Sequence, residues 1–141
     1  EVYAMGTVLV DETIGEAGDI DTAIVNLKFE NGCLGVIDNS RQAVYGYDQR
    51  LEIFGSKGKS KMLNTYVDTE TLFDATGRHA SLLPNFFMDR YTEAYYRELI
   101  AFIDAIADNK EVPVSAEDAM AATRIALAAN ESMLKKAPVS I

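Results

Sequence analysis

The hydrophobic pattern changes period close to residue 91, and that single change leaves few folds open to the chain. Over residues 22–29, Ala23, Val25, Leu27 and Phe29 alternate with Thr22, Ile24, Asn26 and Lys28, which is the period of a strand with one buried face. From Tyr91 onward, Tyr95, Leu99, Phe102, Ile103 and Ile106 instead fall on one stripe of a helix. Strands first and helices afterwards predict an α+β domain: an open-faced, mostly antiparallel sheet with two long helices on one face. The uncovered face would need a partner, and Ile24 and Ile37 are expected to supply apolar surface there.

Turn residues divide the strand region. A first strand is expected at Val2–Val10, followed by an irregular acidic stretch from Asp11 to Asp19. Glu30-Asn31-Gly32 tolerates the positive φ of a hairpin, so Cys33–Arg41 should return antiparallel to residues 22–29. A further strand is expected over Asp48–Gly55, with Leu51 and Ile53 on one face, then a turn at Gly55-Ser56-Lys57-Gly58. Shorter strands at Ser60–Leu63 and Glu70–Phe73 and a loop over 75–88 complete the half. The first helix should end at Asn109-Lys110. The second starts after Pro113 with Ser115 as N-cap and Glu117 and Asp118 in its first turn, and runs to about Lys136. Its many alanines would let another element approach closely.

At 141 residues the chain has the length of one domain, and 48% hydrophobic residues provide for one core. A net charge of −9 repels phosphate backbones and anionic lipid, so nucleic acid and membrane surfaces are poor partners. No apolar run approaches a membrane span. One cysteine, Cys33, permits no intrachain disulfide and points to a reducing, cytoplasmic setting.

Several motifs fail on inspection. Gly58-Lys59-Ser60 ends like a phosphate loop, but the glycine required five positions before Gly58 is Ile53, and a strand follows where a helix should. The dinucleotide fingerprint G-x-G-x-x-G is absent, so the chain is not expected to bind a nicotinamide cofactor unaided. His79 lies in a polar loop without an orienting partner, and a single His and a single Cys make no zinc site. Asp19-Ile20-Asp21 begins like a calcium loop but lacks its glycine. No metal is expected.

The run Asp38-Asn39-Ser40-Arg41-Gln42-Ala43-Val44-Tyr45-Gly46-Tyr47-Asp48-Gln49-Arg50 is more informative. A strand that is apolar through Ile37 turns densely polar and then presents two tyrosines around a glycine. Polyols are bound by many directional donors and acceptors beside a flat apolar face, and these residue types supply both. The plainer reading, a solvated strand end with tyrosines lidding the core, fits the composition equally well. Tyr91 stands at a helix entrance where it can face a cleft, while Tyr95 has the spacing of a core residue.

The runs Gly15–Ala23 and Asn31–Arg50 resemble the C-terminal half of members of the glucose–fructose oxidoreductase and inositol dehydrogenase family. Phe54-Gly55-Ser56-Lys57-Gly58 is similar to a turn found throughout that family, and the Asn39–Arg50 run is the more specific signal for the inositol branch. Phe86–Tyr91 and the alanine-rich last helix with Ser132 also fit, so the resemblance covers nearly the whole chain. It implies that residues 1–141 form the C-terminal substrate and oligomerisation domain of a two-domain NAD-dependent inositol 2-dehydrogenase. The N-terminal Rossmann domain would bind the NAD and carry the catalytic lysine, aspartate and histidine, so this chain holds no catalytic residue and is inactive alone. The resemblance places Tyr47 first at the substrate, then Tyr91, with Tyr45 and Arg41 after them. The partners it implies are a polyol and further copies of the chain. Two alternatives stay open: a dehydrogenase of the same family acting on another sugar or polyol, and a stand-alone oligomerisation module.

Overall fold

A computed structural model describes residues 1–141. It contains β1 (Val2–Thr7), α1 (Glu12–Glu16), β2 (Thr22–Lys28), β3 (Leu34–Ser40), β4 (Leu51–Gly55), β5 (Gly58–Met62), β6 (Thr71–Asp74), β7 (Gly77–Ala80), α2 (Phe87–Ala107) and α3 (Ala116–Lys135). The α+β class, the antiparallel open sheets and the two long helices are as the sequence predicts. The strands divide over three sheets, in the orders β1-β2-β3, β4-β5 and β6-β7. Two compact units result, one of Glu1–Gln42 with Val112–Ile141 and one of Ala43–Glu111. No helix is long and apolar enough to cross a membrane.

In the first unit α3 lies on the three-stranded sheet. Val2, Ala4 and Val25 from the strands meet Ala128 and Ala129, and Leu27, Ile125, Met133 and Val139 pack around them. The alanines act as their composition predicts: Ala128 and Ala129 let the helix come close to the sheet at the centre of this core. Ser132, fully buried, exploits the close approach, accepting from the Ala4 N–H at 3.0 Å and donating to the Ala137 carbonyl at 2.7 Å. The helix starts on a capping box, in which Ser115 and Asp118 satisfy each other's backbone N–H groups. Beside the sheet, Val2 and Val139 exchange backbone hydrogen bonds of 2.7 and 2.8 Å.

The β2–β3 turn differs in detail from a two-residue hairpin. Gly32 donates to the Phe29 carbonyl at 3.0 Å and alone carries a positive φ, of 86°, so the loop is a three-residue turn closed by glycine. The register it sets corrects one assignment. Val25 faces Ile37 and Ile24 faces Asp38, so Ile37 shares the α3 side of the sheet with Val25. The outer face belongs to Ile24 with Met5, Val36 and Leu34 from the neighbouring strands, all exposed.

The first strand stops at Thr7, three residues short of the expectation, because the backbone beyond it is taken by a side chain. Asp21 accepts from the N–H groups of Leu9 (2.8 Å), Val10 (2.8 Å) and Asp11 (3.0 Å), and from the Thr22 hydroxyl (2.9 Å). The stretch that follows, expected to be irregular, holds the five-residue helix α1, capped by Asp11 through the Thr13 N–H. Burial by itself would raise the Asp21 carboxyl, but these donors outweigh it and bring its pKa to about 2.

In the second unit, β7 occupies part of the region expected to be a loop. Its four residues carry no alternating pattern, and it forms because Asp74 tightens the turn by accepting from the Thr76 N–H at 2.7 Å. Helix α2 begins at Phe87, four residues before Tyr91, and the predicted apolar stripe is present but uncovered: Tyr95, Leu99, Phe102, Ile103 and Ile106 are all exposed. Tyr95 is therefore not a core residue.

Candidate functional site

The polar run after β3 crosses from the first unit into the second at Gln42. Arg41 stays in the first, at the end of β3, exposed and with its N–H on the Asp21 carbonyl at 2.8 Å. Tyr45, Tyr47 and Tyr91 all belong to the second.

Residues 45–47 form a strap fixed by its backbone. Leu83 N–H donates to the Tyr45 carbonyl at 3.3 Å and Tyr47 N–H to the Pro84 carbonyl at 2.7 Å. Between them Gly46 has φ of +115°, and a Cβ there would stand 2.7 Å from both the Leu83 side chain and its carbonyl oxygen. The two neighbouring tyrosines are thus carried on a short, well-held piece of chain, and both remain exposed to solvent. The Tyr47 ring meets the Tyr91 ring edge-on, with centroids 5.7 Å apart and planes at 84°, and Tyr91 meets Tyr95 at 6.3 Å in the same manner. Burial, and then the neighbouring Tyr47 phenol, push the Tyr91 hydroxyl above its ordinary pKa, against the opposing influence of Arg90. Tyr91 is a neutral phenol across the physiological range.

Behind the tyrosines lies a polar network. Asp48 accepts from the Tyr45 hydroxyl at 2.6 Å, from Arg50 Nε at 2.9 Å and from the Asn64 amide. The Tyr45 and Asn64 hydrogen bonds, supported by Arg50 and opposed by desolvation, hold the Asp48 carboxyl down to about 2. Asn64 Oδ1 in turn accepts from the Gln49 N–H at 2.9 Å. Gln49 receives the Tyr91 hydroxyl on its side-chain oxygen and Arg90 Nη2 on its carbonyl at 3.0 Å. The structure therefore joins Tyr45, Tyr47 and Tyr91 through rings and hydrogen bonds and leaves Arg41 outside the group. Asn64 and Arg90 were not singled out from the sequence. The turn at residues 55–58 contained the signal for Asn64: Leu51 pairs with Met62, so two residues further along each strand Gln49 comes opposite Asn64.

A concavity of about 960 Å³ in the same unit is lined by Val44, Gly46, Tyr66, Leu83, Asp89 and Arg90, among others. One guanidinium nitrogen of Arg90, Nη1, is buried without a hydrogen-bond partner. None of the four predicted site residues lines this space.

The phenols, the amides and the carboxylate of this group offer hydroxyl-binding chemistry. Neither long helix opens on a glycine turn. The N-terminus of α3 is closed by its own Ser115 and Asp118, and that of α2 follows Phe86 and bears the acidic Asp89. A pyrophosphate has no cradle at either.

Residues 2–141 match the family described as the oxidoreductase family, C-terminal alpha/beta domain. The chain belongs to this family. The relatives of this oxidoreductase domain extend the resemblance read from Gly15–Ala23 and Asn31–Arg50. The myo-inositol 2-dehydrogenase of Thermotoga maritima is 48% identical over 141 residues, all of this chain and 42% of that protein. The crystal structure of a myo-inositol dehydrogenase from Corynebacterium glutamicum superposes with a TM-score of 0.93 at 38% identity, over 99% of this chain and 42% of the other. That of a scyllo-inositol dehydrogenase from Lactobacillus casei, with bound NAD(H) and scyllo-inositol, gives 0.86 at 26% identity over 96% of this chain and 40% of the other. The domain thus spans well under half the length of each relative.

Proposed function

We infer that the chain is the C-terminal substrate-binding and assembly domain of an NAD-dependent inositol 2-dehydrogenase, which oxidises a ring hydroxyl of inositol to a ketone. The observation that carries this reading is the Tyr45-Gly46-Tyr47 strap with Tyr91 edge-on to Tyr47, built from the run most specific to the inositol branch. A cyclohexane polyol presents C–H faces and a rim of hydroxyls. Aromatic edges and phenol oxygens held at fixed positions complement both. The residues of this chain do not fit the dinucleotide, so NAD is assigned to a separate N-terminal domain together with the groups that move the hydroxyl proton. The part of the chain described here is to seat and orient the ring, with Tyr47 and Tyr91 in contact with it and Tyr45 supporting them. Arg41 belongs to the other unit and is not assigned to this group.

Assembly rests on the outer face of the three-stranded sheet. Met5, Ile24, Leu34 and Val36 form an exposed apolar surface there, and a second copy of the chain is the proposed cover. The acidic composition and single cysteine fit a cytoplasmic enzyme.

The experiment is steady-state NAD reduction by the dehydrogenase carrying this domain, with myo- and scyllo-inositol set against aldohexoses and acyclic polyols. A kcat/KM at least about tenfold higher for an inositol supports the reading. A preference for a hexose or acyclic polyol overturns the assignment to the inositol branch.

A further inference from the structure

Asn64 joins two parts of the tyrosine network with one side chain. Its Oδ1 accepts from the Gln49 N–H at 2.9 Å, while its Nδ2 donates to Asp48. Each neighbour leads to a phenol: Asp48 takes the Tyr45 hydroxyl at 2.6 Å, and the Gln49 side-chain oxygen takes that of Tyr91. A primary amide presents an acceptor and a donor side by side. A carboxylate in its place offers no donor to Asp48, and an alkyl group serves neither neighbour. The position is set by the β4–β5 register, which brings Asn64 opposite Gln49 just where the backbone ladder ends and a side chain must continue it.

We propose that Asn64 is a positioning residue for the polyol, fixing Gln49 so that the Tyr91 hydroxyl keeps one orientation toward the substrate, and Asp48 so that Tyr45 keeps its supporting place. The proposal rests on the reading of the tyrosines as substrate contacts. It goes beyond that reading by assigning substrate affinity to a residue that touches no substrate.

The test uses Asn64→Asp in the dehydrogenase carrying this domain, with KM for myo-inositol measured across pH as a ratio to wild type. The variant keeps the acceptor for Gln49 but sets a second carboxylate against Asp48. Two carboxylates at hydrogen-bond distance cannot both ionise readily, so one shared proton is held to higher pH and restores the link when present. The other groups facing this pair are Tyr45 and Arg50 on Asp48, with Arg90 and Tyr91 on Gln49. The expected result is a KM ratio of roughly tenfold near pH 8 that falls toward one near pH 5, while kcat and the KM for NAD stay close to wild type. A ratio that is flat with pH, even with a lowered melting temperature, overturns the proposal by reducing Asn64 to a fold residue. Should Asn64→Asp fail to fold, Asn64→Ser serves, since one hydroxyl cannot fully replace both bonds. A raised inositol KM with unchanged NAD KM then supports the proposal, and an unchanged inositol KM overturns it. Tyr47→Phe and Tyr91→Phe separate the two levels. If neither alters kinetics with inositol, the substrate reading itself fails; if both do while Asn64→Asp stays flat, only the role of Asn64 fails.

Discussion

Gly46 meets two demands at one position. Its φ of +115° lies where an L side chain is strained, and the Leu83 backbone leaves no room for a Cβ. The sequence displays this glycine between two tyrosines, but its necessity comes from Leu83, a residue 37 positions further on that no local pattern links to it. Asp21 is the counterpart in the first unit, and its role is hidden from local pattern for the same reason. As part of a failed calcium motif it had no assigned role, whereas it gathers three consecutive backbone N–H groups from Leu9, Val10 and Asp11. Its carboxyl has a folded pKa of about 2 against an ordinary value of 3.8. Because the folded pKa is depressed, its contribution to stability is complete above the ordinary value and is lost as pH falls from there through the folded one. Asp48, also held at about 2, adds to the same window. The melting temperature should therefore fall steeply between about pH 4 and pH 2, and Asp21→Asn, which has no such carboxyl to protonate, should start lower and fall less. Parallel melting profiles for the two proteins would contradict the assignment.

Among the elements, those with a full period were legible and the short ones were not. Strand β2 and helix α3 follow directly from alternation and from the Ser115 cap, because each buries one face against the other. The helix α1 and the strand β7, of five and four residues, carry no usable period; side chains of Asp11 and Asp74 hold their ends. The stripe on α2 was read correctly as helical, yet its exposure could not be read, since periodicity reports a face and not what covers it. Helix α3 shows what a small buried polar group contributes at such a face. Ser132→Ala leaves the Ala4 N–H and the Ala137 carbonyl without their partner in a site closed to water. A loss of about 1–3 kcal/mol is expected. Urea unfolding measures it, and a midpoint unchanged from wild type would show that the β1–α3 contact reorganises without cost.

At the scale of the whole molecule, the fold class and family were readable, while the grouping of the site was only partly so. Three of the four candidate site residues, Tyr45, Tyr47 and Tyr91, belong to one network, but Arg41 lies in the other unit and the hydrogen bonds run through Asn64 and Arg90, which looked unremarkable in sequence. The sheet's outer face was anticipated, though its membership changed once the register exchanged Ile37 for Val36 and Leu34. If a second copy covers that face, the chain should self-associate at high micromolar concentration, and Val36→Glu should shift sedimentation toward monomer without lowering the melting temperature, since Val36 is 68% exposed. A wild-type chain that sediments as a clean monomer would remove the assembly role.

The central claim, that the tyrosine strap seats the polyol, is tested most directly by Tyr47→Phe in the full-length protein carrying this domain. The ring remains, with its edge-on contact to Tyr91, and only the hydroxyl is lost. Leaving a desolvated substrate hydroxyl unpaired costs about 1–3 kcal/mol, so kcat/KM for inositol should fall roughly ten- to hundredfold, with the KM for NAD and the melting temperature close to wild type. An unchanged kcat/KM, alongside a lowered melting temperature for Tyr47→Ala, would contradict the account and make Tyr47 a structural lid.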